Sequence, residues 1–102
     1  MNAAEPPPQL RDLMAAVGYL LLRWGWLERQ LGGAAPPPEL EGVRSMRNLL
    51  CHGLEDASAD PTRPFEPWLG CRDSRGQRVT LTCSDLQQAI RTLERFGGAL
   101  GG

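Results

Sequence analysis

The sequence predicts a mainly α fold with a small β element: an antiparallel bundle of three main helices, with a β-hairpin inserted before the last one. Three observations carry this. Two long runs open on proline triplets and repeat apolar residues at helical spacing. Two short alternating segments flank the turn DSRG. A capped amphipathic run then closes the chain. At 102 residues the chain is one domain spanning 1–102, with a modest core and little burial in reserve.

EPPPQL opens the first helix, because proline is tolerated where a helix has no partner for its N–H. Leu10, Leu13, Met14, Val17, Leu20, Leu21, Trp24, Leu27 and Leu31 form its stripe, and Gly32 and Gly33 end it. The expected span is about 7–31. AAPPPEL repeats the start signal, and Leu40, Val43, Met46, Leu50 and Leu54 form a second stripe over a helix at about 37–53. His52 in its last turn and Gly53 as its stop suit a helix C-terminus. The short link between the two helices predicts an antiparallel pair.

Residues 55–67 are polar and broken by three prolines, so a loop is expected. WLGCR and QRVTLTC then read as a hairpin over about 68–83, with Val79, Leu81 and Cys83 alternating against Arg78, Thr80 and Thr82. SDLQ fits a capping box with Ser84 as N-cap and Gln87 reaching back. Leu86, Ile90, Leu93 and Phe96 form the inner face of a last helix at about 85–97, and the ALGG tail is expected to be loose.

Composition narrows the function classes. The formal net charge is −1, so nucleic-acid binding has to rest on a local patch. All eleven basic residues are arginine, which suits phosphate and carboxylate contacts. Three unpaired-looking cysteines and the lack of a signal peptide predict a cytoplasmic protein with reduced thiols. No apolar run approaches the ~20 residues of a membrane span. One histidine and scattered cysteines make no ligand spacing, so neither metal nor other cofactor is expected.

Projection at ~100° per residue places Tyr19, Leu22 and Trp26 opposite the main stripe of the first helix. A helix apolar on two sides is usually buried on two sides, which points to a homodimer interface there. Packing under the proline loop or hairpin within one chain is the competing reading. Glu28 falls on the core-facing side of the first helix and Arg47 near the middle of the second stripe. Inward-pointing opposite charges are expected to meet.

The segment RNLLCHGL holds the only histidine, His52. Asn48 and His52 are spaced i, i+4 and share a face. Arg47 lies about 140° around the helix from His52, with Asn48 between them. Histidine can give and take protons near neutral pH. Arginine can hold a phosphate and stabilise charge developing on it. Asparagine can orient either partner. This set suits cleavage of RNA by its own 2′-hydroxyl, and a symmetric dimer would supply two histidines. The bland alternatives are a last-turn histidine favoured by the helix dipole and an arginine serving only to pair Glu28. Cys51 reads as a packing residue. Arg44, one turn before Asn48, and Arg23 could widen a positive patch, and Arg72, Arg75 and Arg78 of the hairpin could also touch RNA.

R-N-L-L-C-H at the end of an amphipathic helix, after a long helix carrying WGWLE, resembles the HEPN superfamily. The family mark is arginine, a polar residue, and a histidine with four to six positions between arginine and histidine; Arg47, Asn48 and His52 match it position by position. The resemblance covers mainly residues 10–54. It implies a helical bundle that dimerises with two motifs facing one cleft. Many members are metal-independent endoribonucleases of toxin–antitoxin or defence systems. Some are paired with a small nucleotidyltransferase antitoxin, and others only bind. Three helices and a hairpin depart from the four or five helices typical of the family. The readings are therefore an endoribonuclease, a catalytically silent module binding RNA or a protein, and a structural dimer resembling the family by chance.

Overall fold

A computed structural model describes residues 9–58 and 66–99. The chain is mixed α+β and mostly helical. Helix α1 spans Leu10–Leu31; a 3-10 turn at Pro38–Leu40 leads into α2, Glu41–His52. Strands β1 (Leu54–Ser58), β2 (Trp68–Arg72) and β3 (Arg78–Thr82) follow, and α3 covers Cys83–Ala99. The hairpin stands before the last helix, as expected. Pro7 and Pro8 of the expected first helix, residues 59–65 of the expected loop, and residues 100–102 of the tail lie outside the described residues.

Local chemistry explains most boundaries. The Gln9 backbone N–H donates to the Asp12 carboxylate at 2.6 Å, covering one free donor at the start of α1. Gly32 ends the helix in the left-handed region at φ 58°, and its N–H bonds to the Glu28 carbonyl. The last helix starts earlier than its sequence signal. Thr82 caps it: its Oγ1 accepts from the Asp85 N–H at 3.1 Å, and the Asp85 carboxylate accepts from the Thr82 N–H at 2.9 Å. Ser84 is therefore not the N-cap. It donates from both its backbone N–H and its hydroxyl to the Glu66 carboxylate, at 2.7 and 2.9 Å.

The part of the expected loop nearest α2 is a strand. β1 runs antiparallel to β2, so the sheet has three strands in the order β1-β2-β3. Leu54 pairs with Cys71 and Asp56 with Gly70, which leaves Glu55 as an extra residue in β1. Such a bulge sends two consecutive side chains to nearly the same side. Glu55 and Asp56 accordingly both reach Arg78, at 3.0 and 2.8 Å, and Glu55 also holds Arg72 at 2.9 Å. The contact with Arg72 lowers the Glu55 carboxyl below its ordinary value, and Asp56 raises Arg78. Gly70 makes room for this cluster: a Cβ there would overlap the Arg78 guanidinium and the Asp56 carboxylate.

Alternation puts Leu69, Cys71, Leu81 and the succeeding Cys83 on the opposite, core side of the sheet. They join Leu13, Leu20, Trp24 and Leu27 of α1, Leu40 at the α2 entry, Val43 and Leu50 of α2, and Leu86, Ala89 and Leu93 of α3. Burial pushes the Cys71 and Cys83 thiols up, as expected of packing residues. The principal helix contact is between α1 and α3 rather than α1 and α2. Leu10 and Met14, expected in the core stripe, are exposed, while Leu13 between them is fully buried: the buried face of α1 runs through Leu13, Ala16, Leu20, Trp24 and Leu27 and leaves the other two at the rim. Among the described residues, no helix is long and apolar enough to cross a membrane.

Candidate functional site

The last two turns of α2 face the β2–β3 turn across a groove of 680 Å³. Ser45, Asn48 and His52 form one wall and Asp73 and Ser74 the other, with Leu49 and Val79 among the lining. The i, i+4 spacing thus does what the sequence predicts: Asn48 and His52 line one surface. Both are exposed.

Two features hold the walls together. The Arg72 N–H donates to the Gly53 carbonyl at 2.8 Å, tying β2 to the residue after His52. A Cβ on Gly53 would overlap the Arg72 carbonyl, so only glycine permits this approach. The turn itself is a type I turn closed by Gly76 at φ 81°. Asp73 Oδ1 accepts from the Arg75 and Gln77 backbone N–H groups at 2.9 and 2.8 Å, which fixes the far wall.

Arg47 is half-buried and does not line the groove. Its Nη1 donates to Asn48 Oδ1 at 2.9 Å, so it reaches the site through the asparagine. With that oxygen occupied, the Asn48 amide turns its N–H donors to other acceptors. The donors available to a ligand here are the Asn48 amide, the Ser45 and Ser74 hydroxyls and His52. These donors suit an anionic oxygen on the α2 side, while Asp73 sets a carboxylate on the facing wall. Among the described residues, His52 has no hydrogen-bond or ion-pair partner.

The expected Glu28–Arg47 pair does not form. Glu28 is exposed, because it sits at the edge of the α1 stripe and not within it. It borders a separate 200 Å³ depression with Arg44 and Trp24. Arg44 pairs weakly with Glu41 at 3.7 Å, and the buried Trp24 indole N–H has no acceptor among the described residues. Cys51 is exposed and not packed. Of the hairpin arginines, Arg72 and Arg78 are engaged by Glu55 and Asp56, and Arg72 also donates to the Gly76 carbonyl at 2.7 Å.

Tyr19, Leu22 and Trp26 are 40%, 53% and 47% exposed, so this face of α1 is not covered by the described residues. Tyr19 donates its hydroxyl to Glu94 at 2.8 Å, which raises the phenol above its ordinary value. Arg23 stacks between the rings, 6.0 Å from Tyr19 and 5.6 Å from Trp26.

Sequence reasoning missed Ser45, Asp73 and Ser74. DSRG signals a turn, but nothing in it reveals that the turn docks beside α2. Gly53 carries the one available hint, read there only as a helix stop. Among the described residues, no group of histidine, cysteine and carboxylate side chains could hold a metal ion. Protein-family models, curated proteins and solved structures contain no match to this chain.

Proposed function

We propose that the chain is a HEPN-like, metal-independent endoribonuclease of the cytoplasm, acting as a toxin or defence effector, with Arg47, Asn48 and His52 as its catalytic set. The observation that carries this reading is the Arg47–Asn48 hydrogen bond beside His52 at the wall of a donor-lined groove. A scissile phosphate seated there accepts from Asn48, while Arg47 supplies positive charge behind it. The ribose 2′-oxygen attacks phosphorus, its proton passes to one His52, and the 5′-oxygen leaves with a proton. The products are a 2′,3′-cyclic phosphate and a 5′-hydroxyl. In an in-line displacement the attacking and leaving oxygens lie on opposite sides of phosphorus, out of reach of one imidazole at once. The reading therefore calls for a homodimer that brings two copies of His52 to one cleft, the second giving the leaving oxygen its proton. On this reading α1, α2 and α3 are the remaining bundle and the sheet stands where further helices are typical. Glu28 and Arg44 stand outside the groove and take a supporting part only through the fold.

The test is cleavage of single-stranded RNA in EDTA. The wild-type protein cuts; His52→Ala loses at least about a hundredfold in rate, the lower range for a positioned acid or base. Equal cleavage by the variant, with its fold intact by circular dichroism, removes His52 from the mechanism.

A second reading has its own support. His52 has no partner among the described residues to orient its ring, as expected of a silent HEPN-like module that binds RNA or a protein such as a nucleotidyltransferase-type antitoxin. RNA binding without cleavage by the wild-type chain decides for it.

A further inference from the structure

We infer that the outward face of α1 is a stacking track for single-stranded RNA, separate from the α2 groove, with one nucleotide seated against Trp26, Arg29 and Gln30. The choice of RNA over other anionic strands rests on the nuclease reading above. The surface itself is argued from three features.

The first is a depression of 410 Å³ lined by Trp26, Arg29 and Gln30. An exposed indole beside a guanidinium and an amide offers what a nucleotide needs: a face for the base, a cation for the phosphate and a hydrogen-bonding group for the base edge. The second is the stack of Arg23 between Tyr19 and Trp26. It pre-organises two rings and a planar cation along successive turns, and a guanidinium plane is itself a surface on which a base can stack.

The third is charge. The two acids of α1 are Asp12, used at the helix start, and Glu28, which borders the Trp24 depression. Glu94 of α3 accepts the Tyr19 hydroxyl and keeps its charge, so it sets one carboxylate against the three arginines of α1. Arg11, Arg23 and Arg29 are therefore opposed by little acid along α1, and a polyanion complements them in a chain whose net charge is −1. A second copy on this face complements them less well. Arg11 and Arg29 are about five turns apart on one bearing of the helix. An antiparallel copy would set the arginines of one chain beside those of the other.

The experiment uses the full chain in a His52→Ala background, so that RNA is not consumed, with a labelled single strand of about 12 nucleotides and fluorescence anisotropy. Trp26→Ala is expected to weaken binding about tenfold or more, the effect of losing one base stack. Arg29→Gln is expected to lower the slope of log affinity against log salt by about 0.7, one phosphate contact on a single strand. Duplex RNA of the same sequence binds more weakly, because its bases are already stacked. Unchanged affinity in both variants overturns the track. So does a Trp26→Ala variant that turns a dimer into a monomer by light scattering while RNA affinity holds, which makes the face a seam between copies. Cleavage of a dinucleotide by the chain with His52 intact tests the groove alone. Its failure with strand binding intact sinks the nuclease reading and leaves the track standing.

Discussion

Gly53→Ala is the most informative single change in this fold, because it strikes the joint between groove and sheet. The backbone at Gly53 has φ −124° and ψ 3°, at a negative φ open to other residues, so the chief constraint is space. The new Cβ would overlap the Arg72 carbonyl and stand 3.3 Å from the Leu49 carbonyl. Both obstacles are backbone, so no rotamer change relieves them. β2 must move away, and the Arg72 N–H to Gly53 carbonyl bond of 2.8 Å stretches or breaks. Overpacking of this kind costs about 1–3 kcal/mol. The lost hydrogen bond adds about 1 kcal/mol. The expected loss is therefore about 2–4 kcal/mol, a large share of the stability of a small domain. Urea unfolding followed by circular dichroism measures it. Gly25→Ala is the control: a Cβ there meets nothing within 4 Å, and the helix interior gains about 0.5–1 kcal/mol. A Gly53→Ala loss below about 0.5 kcal/mol would show that β2 is not seated on the end of α2 as described.

Glu55 makes stability depend on pH. Its folded pKa is depressed by Arg72 and Arg78, so its contribution is present above the unfolded carboxylate range and lost as pH falls through the folded value. Wild-type stability is expected to decline more steeply on acidification than that of Glu55→Gln, and identical slopes in urea titrations at several acid pH values would exclude the clamp. For the start of α3, Thr82→Ala is expected to cost about 1 kcal/mol and Gln87→Ala almost nothing. The reverse order in thermal melts would restore Ser84 and Gln87 as the capping box.

Helices and the hairpin are legible in the sequence because their signals are local. Proline triplets, paired glycines, a 3.6-residue stripe and an alternating pair around DSRG each act within a few residues. β1 is not legible. Leu54–Ser58 reads LEDAS, with two acids and no β-branched residue, and it is a strand only because β2 offers it a partner. Its bulge also breaks the alternation that would otherwise mark it. Thr82 was hidden by a better-looking cap two residues on. It wins because Asp85 answers it and Glu66, distant in sequence, occupies Ser84.

The site divides along the same line. Asn48 and His52 share a wall because helical spacing alone decides it. Glu28 and Arg47 were matched by charge and burial, but projection gives a direction on each helix and not the offset between helices. Arg47 finds Asn48 next door instead. The second wall depends on where a β-turn lands in three dimensions, which the residues of that turn do not encode.

The bulge at Glu55 has a consequence beyond its ion pairs. A helix turns by about 100° with each residue and a strand by half a rotation, so a helix running straight into a strand locks the two phases together. Here Gly53 and Leu54 are already bound to Arg72 and Cys71, so the phases are locked before the extra residue, and the slack lies within β1. Insertion or loss at Glu55 falls beyond that joint, so it can re-register Asp56 to Ser58 along β2 while the facing of His52 stays fixed. The groove and the outer half of β1 can then be tuned apart, in a chain with very little room for separate parts.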